Sequence, residues 1–214
     1  MKQSTKAETF TKRSSYSGVI DVQGIKIPEN RNVISDKVRS SMQNGQYEVG
    51  EVNKALGLMN PKDRVLELGA GVGFVSAAIC KLGKPQSYLA IEANPELIPI
   101  IKETWKLNNV TRAKALNGLV TRDGGATRDF YVRPDFWASS MEPNSRPHDK
   151  IISVPEICAS DIVKEFKPTM LIIDIEGVRK SCLTGSRSTR LKRLYWSCIR
   201  VSTAGRASAE LAGN

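Results

Sequence analysis

The chain has 214 residues, 40% hydrophobic and 25% charged, a balance that suits one soluble domain with a proper core. No apolar run approaches the ~20 residues of a membrane helix, and the polar start Met1-Lys2-Gln3-Ser4-Thr5-Lys6 is not a secretory signal. The net charge of +10 would suit nucleic acid, but eight basic residues and one acid fall in 179–214, so +7 of it belongs to the tail.

The four cysteines, Cys80, Cys158, Cys182 and Cys198, form no Cys-x-x-Cys pair and have no neighbouring histidine. That argues against zinc and against a disulfide framework, and the reading is a reduced cytoplasm. His148, the single histidine, sits in Ser145-Arg146-Pro147-His148-Asp149 and reads as a solvated loop residue rather than a base.

Residues 1–18 are polar and basic, and are expected to be a disordered tail. Residues 19–60 make an N-terminal segment. Val19 to Pro28 alternates around Gly24 as a small hairpin, Ser35 can cap a helix through Met42, and Glu48 to Met59 reads as a second helix. A Rossmann-like domain is expected over 61–178. Arg64-Val65-Leu66 reads as a buried strand, Phe74 to Cys80 as a helix and Tyr88 to Ile91 as a second strand. Pro95 opens a helix to about Leu107, and Ala113 to Asn117 is a third strand. A turn at Asp123-Gly124-Gly125, strands at Phe130–Val132 and Ile151–Val154, and a helix from Ser160 to Phe166 follow. Lys167-Pro168 then breaks the chain before a fourth strand at Leu171.

The densest signal is Glu67-Leu68-Gly69-Ala70-Gly71-Val72-Gly73, followed nineteen positions after Gly73 by Glu92. Strand, glycine turn, helix, strand and acid make a nucleotide-binding βαβ unit. The glycines allow a sharp turn and a close approach to ligand, the helix start offers free N–H groups, and the acid can accept two ribose hydroxyls. A dinucleotide fingerprint would need its third glycine where Phe74 stands. S-adenosylmethionine, which has an amino-acid end, a ribose and no phosphate, suits the loop better. Glu67, with Gly69, Ala70, Gly71 and Gly73, would hold its methionine end. Glu92 and Ala93 would hold the ribose, and Asn117 the adenine edge.

The glycine motif with Phe74-Val75-Ser76, then Ile91-Glu92-Ala93-Asn94-Pro95 and Leu171-Ile172-Ile173-Asp174-Ile175-Glu176-Gly177, resembles the FkbM-type S-adenosylmethionine-dependent methyltransferases. Gly45-Gln46-Tyr47-Glu48 and Phe136-Trp137-Ala138-Ser139-Ser140-Met141 extend the likeness over roughly Val19 to Gly177. The resemblance implies O-methylation of a small hydroxylated acceptor and a class I α/β sheet of strand order 3-2-1-4-5-7-6; the confinement of the basic excess to the tail argues against a nucleic-acid partner. It also implies that Trp137, Ser139 and Ser140 line the acceptor side, although Trp137 could equally be core. Asp174 and Glu176 flank Ile175, so on an extended strand they share a side. Such a pair raises one pKa and suits a base that takes a hydroxyl proton. No metal site is read.

After Gly177 neither helical nor strand period continues, and 179–214 reads as a tail foreign to its domain. The codons of Tyr195-Trp196-Ser197-Cys198-Ile199-Arg200-Val201, read one frame over, can spell Leu-Glu-Leu-His-Pro-Gly, the next strand of that family. A one-base frameshift near Gly177 is therefore expected, leaving the sheet incomplete after its fourth strand and that strand as an open apolar edge. Two other readings stay open: an adenosyl-ligand-binding remnant without turnover, and a nucleic-acid-binding protein acting through its basic tail.

Overall fold

The computed structural model describes residues 16–133, 135–136, 139–140, 148–174 and 197–200. A hairpin of β1 (Gly18–Val22) and β2 (Ile25–Glu29) opens the fold, followed by α1 (Asp36–Gln43) and α2 (Val49–Leu58). Ser35 caps α1 by accepting the Val38 N–H at 3.4 Å, a bond worth about 1 kcal/mol at such a position. The α/β unit follows as β3 (Arg64–Leu68), α3 (Phe74–Leu82), β4 (Ser87–Glu92), α4 (Leu97–Leu107) and β5 (Ala113–Asn117). Then come β6 (Leu119–Thr121), β7 (Thr127–Val132), β8 (Lys150–Cys158), α5 (Ala159–Phe166), β9 (Met170–Ile173) and β10 (Ser197–Arg200).

The main sheet has the order β10-β9-β3-β4-β5. β3, β4, β5 and β9 run parallel, which gives the 3-2-1-4 core of a Rossmann-like class I methyltransferase sheet. A second sheet joins β6, β8 and β7 between β5 and β9 in the chain. Among the described residues no helix is long and apolar enough to cross a membrane.

The expected open edge at the fourth strand is corrected here. β10 pairs antiparallel with β9, setting Ser197 opposite Ile173 and Arg200 opposite Met170. Residues 197–200 thus extend the sheet, and β9 is paired on both sides, with β10 and with β3. The other residues of 179–214 lie outside the described ones.

A parallel sheet is buried on both faces, so its strands alternate between two cores rather than between core and water. Val65, Tyr88, Ala90, Met170 and Ile172 face a core shared with α3, α4 and the hairpin. Leu66, Leu68, Leu89, Ile91 and Ile173 face a second core closed by Ala159 and Ile162 of α5. The hairpin is tied to α4 through Asn108, whose Oδ1 accepts the Lys26 N–H at 3.0 Å while Nδ2 donates to the Lys26 carbonyl at 2.7 Å. At the opposite rim the Thr169 hydroxyl donates to Asp63 at 2.7 Å and accepts the Arg64 N–H at 3.0 Å, latching the starts of β3 and β9.

Candidate cofactor cleft

In an open parallel sheet the ligand crevice lies beyond the carboxyl ends of the strands. A cleft of about 270 Å³ opens there, walled by Gly69, Gly71, Ile91, Glu92, Ala93 and Asp174, with Phe130, Phe136 and Ser139 on its far side. Glu48 and Glu51 of the α2 start close it. Of the expected residues, the fold therefore gathers Gly69, Gly71, Glu92, Ala93, Asp174 and Ser139 at one cavity. Ser140, buried beside it, accepts a bond from the Arg133 guanidinium at 3.0 Å. Trp137 and Glu176 lie outside the described residues.

The glycine turn needs its glycines. Gly69, Gly71 and Gly73 have φ of +85°, +53° and +80°, the left-handed region that side chains rarely adopt. It is also held from beneath by α4: the Thr104 hydroxyl donates to the Val72 carbonyl at 2.8 Å, and Trp105 Nε1 donates to Ser76 Oγ at 2.9 Å. A Cβ on Gly73 would stand 3.1 Å from the Ile101 Cα, a backbone atom that cannot swing aside. Gly73→Ala is therefore expected to cost about 3 kcal/mol, left-handed strain and overpacking together, and to lower the thermal midpoint by several degrees. A midpoint unchanged within a degree would show that the turn relaxes freely.

Glu92 is 6% exposed and closes the cradle. One carboxylate oxygen accepts the Gly71 N–H at 2.9 Å and the other the Asn94 N–H at 2.8 Å, so the acid fixes both the glycine turn and the loop after β4. Burial pushes it up to about 6, while the N–H groups of Asn94 and Gly71 pull the other way. Glu92 also lines the cleft, at the end of β4 where a ribose acceptor is expected.

Two expected ligand contacts are placed differently. Asn117, expected at the adenine edge, spends its Nδ2 on the carbonyls of Glu92 at 2.9 Å and Ala93 at 2.8 Å, locking β5 to the cradle loop. Glu67, expected at the methionine end, does not line the cleft but lies 1% exposed on the α3 side of the sheet. The strand alternation turns it there with Val65. Its Oε2 has no hydrogen-bond partner. Burial raises its carboxyl to about 8, with Asp174 and Glu92 adding to the rise and the Tyr88 and Ser76 hydroxyls opposing it.

The cleft walls carry four carboxylates, Glu48, Glu51, Glu92 and Asp174, and no lysine or arginine among the described residues that line it. Such a wall favours a cation and disfavours phosphate. Burial first, then the neighbouring Asp174, raises Glu48 well above the carboxylate range. The sequence offers Tyr47 and Glu48 either as residues folding over the cofactor or as the start of a helix; Glu48 is the N-cap of α2, with a left-handed φ of +50°, and it lines the cleft. Among the described residues no cluster of three or more His, Cys, Asp or Glu could hold a metal ion.

Residues 36–122 match the family model of the TRM5/TYW2 methyltransferase domain. No curated protein matches the chain. Among solved structures, TYW2 of P. horikoshii in complex with MeSAdo is 25% identical over 46% of this chain and 34% of that one, with a TM-score of 0.36. TYW2 of M. jannaschii in complex with AdoMet is 20% identical over 46% of this chain and 42% of that one, with a TM-score of 0.37. The tRNA (uracil-54, C5)-methyltransferase of Pyrococcus abyssi, with S-adenosyl-L-homocysteine, is 18% identical over 72% of this chain and 33% of that one, with a TM-score of 0.42. The chain spans about a third of the length of the first of these structures.

Proposed function

We propose that this chain, an S-adenosylmethionine-dependent methyltransferase by its sheet and by the family match over residues 36–122, methylates a hydroxyl oxygen of a small acceptor. The observation that carries the reading is the cleft itself. A carboxylate gripped by the Gly71 and Asn94 N–H groups stands where a ribose would lie, and the remaining charges on the walls are all negative. A sulfonium with an ammonium end fits that wall, and a phosphorylated acceptor does not. The likeness to FkbM-type enzymes in the Asp174 and Trp137 segments points the same way.

When bound, S-adenosylmethionine supplies a methyl carbon on a positive sulfur, open to in-line displacement. In this reading Asp174, which lines the cleft just after β9 with its own N–H bonded to the Leu68 carbonyl at 2.9 Å, would receive the acceptor's hydroxyl proton. Phe130 and Phe136 exclude water from that side, and alignment contributes more here than proton transfer does. Glu176 is kept in this proposal as the second acid of the pair.

A second reading, methylation of RNA, is favoured by the match to the TRM5/TYW2 domain and by the +10 charge. One experiment separates the two. The purified chain is incubated with methyl-labelled S-adenosylmethionine and either a pool of small hydroxylated metabolites or total RNA. Label on small molecules supports the first reading, and label on RNA, lost steeply as salt rises, replaces it with the second.

A further inference from the structure

At the edge of the main sheet away from β9, β5 pairs among the described residues only with β4. The Tyr88 N–H donates to the Arg112 carbonyl and the Gly118 N–H to the Glu92 carbonyl. Along a parallel ladder every second residue bonds to the neighbouring strand, so Lys114 and Leu116 serve β4. The backbone N–H and C=O groups of Ala113, Ala115 and Asn117 then face outward, and such an edge is a template for another strand. A groove of about 620 Å³ runs between this edge and α4, lined by the apolar Trp105, Val110 and Ala115 and by Lys102, Lys106 and Lys114. No residue lines both this groove and the cofactor cleft.

Charge narrows what can lie there. Among the described residues that line the groove there are three lysines and no acid. Lys106 has an exposed i,i+3 pairing with Glu103 at 3.3 Å, and neither Lys102 nor Lys114 has an acidic partner among the described residues. Leu116, also at the groove, is 41% exposed. A second copy paired edge to edge about Ala115 would set the same lysines against each other, which is unfavourable. The chain's own segment 1–15 has Lys2, Lys6, Lys12 and Arg13 against Glu8, and 175–196 is basic in excess as well. A nucleic acid would satisfy the lysines, but it has no strand ladder to offer the outward peptide groups.

We propose that the open edge of β5 docks an extended acidic segment of a partner protein, which adds a strand to the sheet. Main-chain bonds to Ala113, Ala115 and Asn117 supply the affinity, and the side chains of the added strand supply the selection. Its carboxylates meet Lys102, Lys106 and Lys114, and its apolar side chains cover Trp105, Val110 and Leu116. Lys114 and Leu116 lie on the face of β5 opposite Ala113 and Ala115, so the added strand is gripped on both of its faces. The partner sits outside the cofactor cleft and leaves it open.

The test titrates the full chain with labelled peptides of about ten residues, read by fluorescence anisotropy: alternating valine and glutamate, alternating valine and lysine, and alternating proline and glutamate. The valine–glutamate peptide is expected to bind saturably. The lysine peptide has the wrong charge, and the proline peptide lacks half of its N–H groups, so neither is expected to bind. Lys102→Glu with Lys114→Glu is expected to weaken the acidic peptide about tenfold. Ala115→Pro, which removes one outward N–H where an edge strand tolerates proline, is expected to weaken it similarly at an unchanged thermal midpoint. If that variant does not fold, the charge reversal and the proline peptide decide the matter. Equal binding of the proline–glutamate peptide would reduce the groove to a patch of charge and overturn the proposal. No binding of the valine–glutamate peptide would leave the lysines as guards of an edge that nothing joins. An oligouridylate bound in its place, or a parent dimer that Ala115→Pro dissociates, would name a different occupant and overturn the proposal as well.

Discussion

Glu92→Ala is expected to weaken S-adenosylhomocysteine binding by more than about 100-fold while the chain still unfolds cooperatively. The carboxylate offers two acceptor oxygens to a ribose, each bond to a charged group being worth about 1.5–3 kcal/mol, and two such bonds exceed two decades in affinity. Its removal also frees the Gly71 and Asn94 N–H groups, which it holds at 2.9 and 2.8 Å, so the glycine turn and the loop after β4 lose their common anchor. Calorimetry with S-adenosylhomocysteine measures the loss.

The same residue sets a pH dependence. Burial holds Glu92 up at about 6, so it is ionised and accepting above that pH and protonated below it. Affinity is therefore expected to be flat above about pH 7 and to fall as pH drops through 6, approaching tenfold per unit. Glu92→Gln should bind weakly and lack that acidic limb. Undiminished binding by Glu92→Ala, or an acidic limb that survives in Glu92→Gln, would remove Glu92 from the cofactor site.

What could be read from the sequence was what depends on local period and spacing. β3, the glycine turn, α3, β4 and Glu92 form one short unit whose apolar runs and glycines are contiguous, and the rim position of Asp174 followed from the strand before it. The two elements that were missed are short. β6 is three residues between Gly118 and Arg122, and β10 is four residues paired, among the described residues, with β9, so neither carries a period of its own. Tertiary pairing made the strand at Ser197–Arg200, and it was this pairing that a local reading of the tail could not supply. Within the site, Glu67 and Glu92 looked alike as acids ending strands. Because both faces of the parallel sheet are buried, alternation could not say which face Glu67 would take. Asn117 was legible as a polar rim residue, but its bond to the Glu92 and Ala93 carbonyls depends on the β4–β5 register.

Glu67→Gln is expected to stabilise the ligand-free chain. Its carboxyl sits at about 8 against an ordinary 4.5, so the folded state holds a proton that the unfolded state releases over that whole window. The sign follows directly: where the native state binds more protons than the unfolded one, stability falls as pH rises. The penalty is nil below about pH 4, grows through pH 5 to 8 and then levels off. At pH 7 it amounts to about 3 kcal/mol, which an uncharged glutamine of the same shape avoids. For a chain of this size that is a rise of roughly 5–10 °C in thermal midpoint at pH 7, shrinking toward zero at pH 4. Since Glu67 lies beneath α3 rather than in the cleft wall, S-adenosylhomocysteine affinity is expected to stay within about threefold. The two readouts are independent. A variant that gains no stability at pH 7 would mean the carboxylate is better solvated than its 1% exposure implies. One that gains stability but loses the ligand would return Glu67 to the methionine end, a destabilising charge retained because the cofactor's ammonium needs it.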